Sequence, residues 1–203
     1  MKKVLLMLAL FCPAAFAEMS GSIGAVSNYV WRGATQSDNS HAIQGSITAE
    51  AKGLHATAWA SQVDFGDDTS TRVDYQAGYT LGSSEFGKID IGVITYTYIG
   101  DETKFADDVK EVYISASAGP FSVTAYREVL LKDEEKASNF FSGGVDVSSY
   151  LPMDASIMVN MNDDNEVGYG ASIGKTWDKG FQVAYTYNSV DEAEHSFGLF
   201  YNF

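Results

Sequence analysis

Apolar and polar residues alternate with a period of two along most of this chain, and this pattern constrains the fold more than any other feature. In the segment MDASIMVNMN, residues 153–162, the odd positions are all apolar and the even positions are Asp, Ser, Met, Asn and Asn. Successive side chains of a β-strand point to opposite faces, so such alternation indicates a strand with one apolar face. Helical periodicity does not exceed this alternation anywhere in residues 18–203. The chain is therefore predicted to be all-β.

Twelve segments share this period. Their approximate spans are 20–32, 41–51, 54–65, 71–81, 88–99, 109–118, 121–130, 139–150, 153–161, 166–177, 180–188 and 195–203. The alternation is weak in 54–65, 88–99 and 121–130. In the first of these, Trp59 and Val63 share one phase and three alanines share the other.

The connectors between these segments alternate in length and charge. Odd-numbered connectors are mostly long and acidic, as in LKDEEKAS, whereas even-numbered ones are short, as at Lys52-Gly53 and Gly119-Pro120. Outer-membrane β-barrels show this asymmetry between their two ends. A soluble periplasmic β-sandwich shares the alternation, but its buried face would be rich in branched aliphatics rather than in Tyr, Phe, Trp and Ala. We therefore predict one antiparallel transmembrane β-barrel of about twelve strands over residues 18–203.

The N-terminus has the pattern of a secretory signal peptide. Lys2 and Lys3 precede the apolar run VLLMLALF, and a small-x-small site ends at Ala17. Residues 1–17 are therefore expected to be cleaved on export to the bacterial outer membrane. The single cysteine, Cys12, lies in this segment, so the exported chain is predicted to have neither disulfides nor thiolate chemistry.

The charge of the chain argues against some functions. The sequence has 13 Lys and Arg against 27 Asp and Glu, a formal net charge of −14. Nucleic acid is excluded as a partner because it attracts basic surfaces, whereas small cations remain compatible. His41, His55 and His195 have no metal-site spacing such as H-E-x-x-H, and the chain has no G-x-S-x-G motif. We expect no enzymatic activity, no metal and no cofactor.

The last segment of the chain ends on alternating bulky residues. Phe197, Leu199, Tyr201 and Phe203 share one phase, which is expected to face the outer-membrane lipid and lipopolysaccharide. A terminal aromatic after such a series also resembles the signal read by the bacterial barrel-assembly machinery. We predict that this machinery inserts the chain as a monomeric barrel.

Two stretches carry a family resemblance. SNYVWRGATQS, residues 27–37, and WASQVDF, residues 59–65, resemble the TorF family of small proteobacterial outer-membrane porins. The strongest part is the spacing of Asn28-Tyr29, Arg32-Gly33 and Gln36. The resemblance implies an outer-membrane β-barrel, but it brings no catalytic residues and no assured substrate.

Both stretches fall at the outward mouth of the predicted barrel. On the predicted strands, Arg32, Asp64, Arg72 and Asp74 share the lumen phase near this mouth. Charges in a low-dielectric lumen are expected to be paired. We therefore predict a charged cluster inside the mouth, which either forms a selectivity constriction or braces and plugs the barrel.

The predicted lumen phase carries more carboxylates than basic groups. The basic groups are Arg32, Arg72 and Lys88. Besides Asp74, the carboxylates are Glu50, Asp90, Glu111, Glu128 and Asp146. The sequence thus predicts a narrow passive channel for small solutes or cations, with a weak preference for cations. The alternative is a closed barrel that binds a partner or ligand through its acidic surface loops.

Overall fold

The computed structural model describes residues 18–83, 87–100, 109–129, 137–163, 166–189 and 193–203. The predicted signal segment and parts of the predicted acidic loops lie outside these ranges. Within them, no helix is long and apolar enough to cross a membrane.

The strands form a closed antiparallel ring. Their bounds are β1 Glu18–Val26, β2 Val30–Trp31, β3 Ala34–Thr35, β4 Ala42–Ala51, β5 Leu54–Gln62, β6 Thr71–Ser83, β7 Gly87–Ile99, β8 Val109–Ala118, β9 Phe121–Glu128, β10 Asn139–Asp146, β11 Asp154–Asn162, β12 Val167–Thr176, β13 Phe181–Ser189 and β14 Ala193–Asn202. Twelve of them form the barrel, in which β1 pairs with both β4 and β14, and the short β2 and β3 pair only with each other. The predicted twelve-strand barrel is confirmed, and the alternative β-sandwich is wrong.

Apolar side chains lie mainly on the outside of this barrel. Ile23 is 57 % exposed, Ile114 is 54 % exposed and Phe197 is 62 % exposed, each on the outward phase of its strand. A water-soluble domain would bury such side chains, because each is worth about 1.5–3 kcal/mol when removed from water. The arrangement is instead that of a barrel whose outer face contacts lipid.

The predicted first strand, 20–32, is too long. β1 ends at Val26, and Val30–Thr35 form a separate small hairpin. The chain leaves the wall here because the buried Asn28 side chain forms hydrogen bonds within the following segment. The other predicted spans agree with the barrel strands to within four residues at each end.

The predicted phase of segment 54–65 is also corrected by the structure. Trp59 pairs in register with the inward-facing Ser46, so Trp59 points into the lumen and Ala58 and Ala60 face outward. Gln62 shares the outward phase and is exposed. A bulky Trp is accommodated inside because it packs on Tyr29, with 5.2 Å between ring centroids.

The seam between β1 and β14 closes the barrel with little spare room. A Cβ added at Gly24 would lie 2.5 Å from the Leu199 carbonyl oxygen across the seam and would meet the Phe200 ring. At Gly45, on the neighbouring strand, the nearest atom to an added Cβ is Ser22 O at 3.3 Å.

We expect Gly24→Ala to weaken the seam and to lower the free energy of unfolding by about 1–3 kcal/mol, the usual cost of overpacking. Urea unfolding of the folded chain in detergent micelles, followed by tryptophan fluorescence, measures this effect. Gly45→Ala is the matched control and should unfold close to the wild-type midpoint. Equal midpoints for the two variants would contradict a tightly packed seam.

Candidate functional site

A small hairpin folds into the lumen directly after β1. In this inward hairpin, Val30–Thr35, Trp31 pairs with Ala34 and Val30 pairs with Thr35. Arg32 and Gly33 form the two-residue turn, with φ of 53° and 92°. Positive φ at both central positions is the type I′ geometry that suits a tight hairpin, and Gly33 adopts it without steric cost.

The tip of the inward hairpin is tied to the far wall of the barrel. Arg32 Nη1 donates to Glu111 Oε1 at 2.8 Å, and Arg32 Nη2 donates to Glu111 Oε2 at 2.7 Å. Glu111 is 5 % exposed and also accepts a hydrogen bond of 2.7 Å from Tyr96 Oη. β9 lies opposite β1 in the ring, and Glu111 is on the adjacent β8. The hairpin therefore crosses the lumen.

Aromatic rings surround the Arg32 guanidinium. Its central carbon lies 4.4 Å from the ring centroid of Trp31, 4.9 Å from that of Tyr126 and 4.2 Å from that of Phe140. Stacking on aromatic faces adds to a bidentate carboxylate bond, a combination that the planar guanidinium allows and a lysine does not. The turn position is thus fixed by contacts to three strands, β8, β9 and β10.

A second ion pair lies beside the first. Arg72 Nε donates to Asp74 Oδ1 at 2.7 Å, and Arg72 Nη2 donates to Asp74 Oδ2 at 3.0 Å. Arg72 is fully buried, with its guanidinium carbon 4.2 Å from the Trp31 ring and 4.4 Å from the Tyr96 ring. Trp31 therefore contacts both guanidinium groups, and each of these cations is balanced by one carboxylate.

The base of the inward hairpin is held by Asn28, which is 4 % exposed. Its Nδ2 donates to Asn39 Oδ1 at 2.9 Å and to Glu194 Oε2 at 2.8 Å. Its Oδ1 accepts from Thr35 Oγ1 at 2.7 Å, and its carbonyl accepts from Ser196 Oγ at 2.6 Å. Both ends of the hairpin are therefore anchored, the tip to β8 and the base to β14.

The two stretches that carry the family resemblance contact each other. Tyr29 packs on Trp59, and the Asp64 backbone N–H donates to the Gln36 carbonyl at 2.8 Å. Ser37 and Asp64 also form a parallel β-bridge. The shared residues of the resemblance thus build one unit, the inward hairpin and its support on the end of β5.

Two cavities adjoin the hairpin. The larger, about 430 Å³, is bordered by Trp31 and Arg32 at the tip and by Trp59 on the wall. The smaller, about 200 Å³, is bordered by Tyr29 and Val30 at the base and also by Trp59. The hairpin and Trp59 therefore divide the space inside this part of the barrel.

The structure brings Arg32, Arg72 and Asp74 together around Trp31, but Asp64 lies outside this cluster. Asp64 is exposed, and its Oδ1 accepts a hydrogen bond of 2.9 Å from Gly66 N in its own loop. The prediction that Asp64 faces the lumen is wrong because it follows the outward phase of Gln62. Glu111 stands in the cluster instead.

The remaining predicted lumen carboxylates are spread along the barrel. Asp90 Oδ2 lies 2.8 Å from His55 Nε2 and accepts from Thr80 Oγ1 at 2.6 Å. Glu128 accepts a hydrogen bond from Ser138 N at 3.2 Å, and Asp146 accepts one from Ser148 N at 2.8 Å. Glu50 and Asp146 are exposed at the end of the barrel that carries the short turns.

The predicted assembly segment occupies the outer face of β14 and the residue after it. Its four residues are exposed: Phe197, Leu199, Tyr201 and Phe203. Their role in assembly stays a prediction.

Sequence reasoning missed the inward fold of the hairpin, although one signal was available. A glycine preceded by a bulky residue, between the strand-forming VW and AT pairs, is a pattern of a two-residue hairpin turn. The pairing of Arg32 with Glu111 has no local signal, because the two residues are 79 positions apart.

Among the residues that the structure describes, no group of three or more His, Cys, Asp or Glu side chains is placed to hold a metal ion.

A family model described as a bacterial protein of unknown function, Gcw_chp, matches residues 12–201. The chain belongs to the Gcw_chp family. The family model does not carry the TorF name, and no curated protein matches the chain.

Solved structures of porins have folds similar to that of this Gcw_chp protein. It is similar to the KdgM porin with a TM-score of 0.65 and 12 % identity, over 91 % of this chain and 99 % of that one. A structure of the KdgM porin in complex with disordered oligogalacturonate matches with a TM-score of 0.63 and 11 % identity, over 91 % and 98 % of the two chains. At this identity the likeness shows the fold, a closed barrel of the outer-membrane porin type.

Proposed function

We propose that this protein is a narrow passive channel for small solutes across the bacterial outer membrane. The observation that carries the proposal is the inward hairpin, which crosses a closed barrel and leaves cavities of about 430 and 200 Å³ beside it. A barrel of twelve strands is wider than the eight-stranded kind that side chains fill, and narrower than the 16–18-stranded porins. A constricted lumen is the expected result.

The outer face of the barrel indicates the membrane and the lipids that surround it. The exposed apolar belt supports an outer-membrane location, with lipid and lipopolysaccharide as neighbours. We propose that residues 1–17 are removed on export, that the barrel-assembly machinery recognises the β14 end of the chain, and that the barrel acts as a monomer. No catalytic role is proposed.

The charges inside the barrel support a weak preference for cations. At the hairpin, two guanidinium groups are matched by two carboxylates. Toward the end with the short turns, Glu50 and Asp146 are exposed carboxylates on the inward phase, with Lys88 as a basic group on the same phase. A polyanion such as the oligogalacturonate of the KdgM complex would therefore be repelled rather than attracted at this end.

Single-channel recording in planar bilayers, with the refolded chain, tests both the channel and its selectivity. We expect discrete current steps and a reversal potential biased toward cations. The double variant Glu50→Gln with Asp146→Asn should lower the ratio of cation to anion permeability, because it removes exposed charge at one mouth. Asp68→Asn, on the exposed connector between β5 and β6, is the control and should leave the ratio close to wild type.

An anion-selective channel would overturn the cation preference. A folded, heat-modifiable barrel that carries no current would overturn the channel proposal itself. That result would favour the alternative function, a closed barrel that binds a ligand or partner through its acidic surface loops. The observation that supports this alternative is the anchoring of the inward hairpin at both ends.

A further inference from the structure

The larger cavity has a lining that is more specific than a simple water-filled path requires. Besides Trp31 and Trp59, its aromatic residues are Tyr96, Tyr126 and Phe140. We call this space the lumen chamber. Its volume of about 430 Å³ lies within the range of ~300–1,000 Å³ that is usual for small-molecule sites.

The aromatic rings of the chamber are held in place by neighbours. Trp59 packs on Tyr29 at the base of the inward hairpin, and Tyr126 lies between Tyr113 and Phe140, with centroid distances of 6.0 and 6.1 Å. Rings fixed in this way need little ordering when a ligand binds, which lowers the entropic cost of binding. Guanidinium groups of Arg32 and Arg72 lie on the other four rings of the chamber, so Trp59 on β5 supplies the pre-organised flat surface for a ligand.

The charges of the chamber are already matched. Arg32 is bound to Glu111 through both of its terminal nitrogens, and Asp74 is bound to Arg72 through both of its oxygens. An ionic ligand would have to compete with these bidentate pairs, and breaking one partner of such a pair is costly. The chamber therefore favours an uncharged ligand.

Small polar side chains lie between the aromatic rings. Ser46, Thr57, Gln76 and Ser142 border the chamber. Ser46 shares one hydrogen bond of 2.8 Å with Ser22, and Thr57 shares one of 2.9 Å with Thr48. A hydroxyl group has one donor and two acceptor positions, so each keeps capacity for a ligand hydroxyl.

We propose that the lumen chamber binds a neutral sugar. This inference rests on the proposed channel function and names the class of solute that passes. The polarised C–H groups on one face of a sugar ring suit the negative face of an aromatic ring. The ring hydroxyls suit the hydroxyl and amide groups between the aromatic surfaces. The sugar thus crosses the constriction through a binding site whose chemistry suits an uncharged polyhydroxylated molecule.

Two measurements on the refolded chain test this. Maltose is titrated while the intrinsic tryptophan fluorescence is recorded, and in parallel while single-channel current is recorded. We expect a saturable change in fluorescence and saturable block of current with the same midpoint. D-galacturonate and D-glucosamine, charged at neutral pH, should each bind at least about tenfold more weakly, a difference of about 1.4 kcal/mol.

Matched variants locate the site. Gln76→Leu with Thr57→Val should raise the maltose midpoint about tenfold or more, because the polar contacts of the chamber are lost. Gln44→Leu, which borders the smaller cavity, is the control and should leave the midpoint unchanged. If the chamber variant does not fold, the comparison of maltose with the two charged sugars on the wild-type barrel still tests whether the chain binds a neutral sugar in preference to a charged one.

The outcomes separate the inference from the proposed function. Current steps without a maltose effect overturn the sugar site and leave the channel standing. A saturable fluorescence change in a barrel without current overturns the channel and leaves the sugar site standing. Equal affinity for maltose and the charged sugars overturns the preference for an uncharged ligand.

Discussion

Arg32→Ala is expected to raise the single-channel conductance several-fold. Without the guanidinium, Glu111 stays in a nearly buried position with no cation to balance it, and breaking a buried pair in this way costs about 3–5 kcal/mol. The tip of the inward hairpin then loses the contacts that hold it across the lumen, so undocked conformations become populated and the path widens. Single-channel recording in planar bilayers measures the change.

Two further variants make this result specific. Arg32→Gly removes the same charge but suits the positive φ of the turn, so it should behave like the alanine variant. Arg127→Ala is the control, because Arg127 is exposed on the outward phase and bonds to Asn139 at 2.8 Å. Unchanged conductance in both Arg32 variants would mean that the hairpin does not set the width of the path.

Arg72→Met is expected to lower the free energy of unfolding by about 3–5 kcal/mol. Arg72 is fully buried, and methionine leaves the Asp74 carboxylate without its bidentate partner. Trp31 also loses one of the two guanidinium groups that contact it. Denaturant unfolding in detergent micelles measures the effect, provided that the slope of the transition stays unchanged.

A double variant separates the lost ion pair from lost packing. Arg72→Met with Asp74→Leu should recover much of the stability, because replacing both members of a buried pair is far less costly than orphaning one. Arg127→Met, at an exposed site, should unfold like wild type. If the single Arg72 variant also unfolds like wild type, the pair is solvated rather than buried.

The strands were predictable because each is specified by its own residues. The alternation in β6 and β11 is regular enough that the period and the inward phase follow from the sequence, and the ends are predicted to within two residues. The phase of β5 was not, because Trp59 is apolar yet lies inside and the small alanines lie outside. Hydropathy alone does not distinguish a lipid-facing apolar residue from one that packs on a lumen hairpin.

The members of the candidate site were predictable only in part: Arg32, Arg72 and Asp74 belong to it, whereas Asp64 does not and Glu111 takes its place. The phase of β6 correctly placed Arg72 and Asp74 inside, and local spacing explains their contact. The segment of the inward hairpin continues the alternation of β1, so the sequence predicts residues 27–32 as part of the barrel strand, whereas the structure ends that strand at Val26. Its partner Glu111 lies on a strand with no sequence pattern that refers to Arg32, and only the closed ring brings them together.

The crossing of the lumen by the inward hairpin also has a consequence for the order of folding. Its base bonds to Glu194 and its tip to Glu111, contacts that span 166 and 79 residues of chain. Contacts of such long range form late, because the loop-closure entropy must first be overcome by other pairings. The inward hairpin, which directly follows the first strand, is therefore expected to be the last element to form. The fluorescence of Trp31 in this hairpin then reports when the barrel is complete.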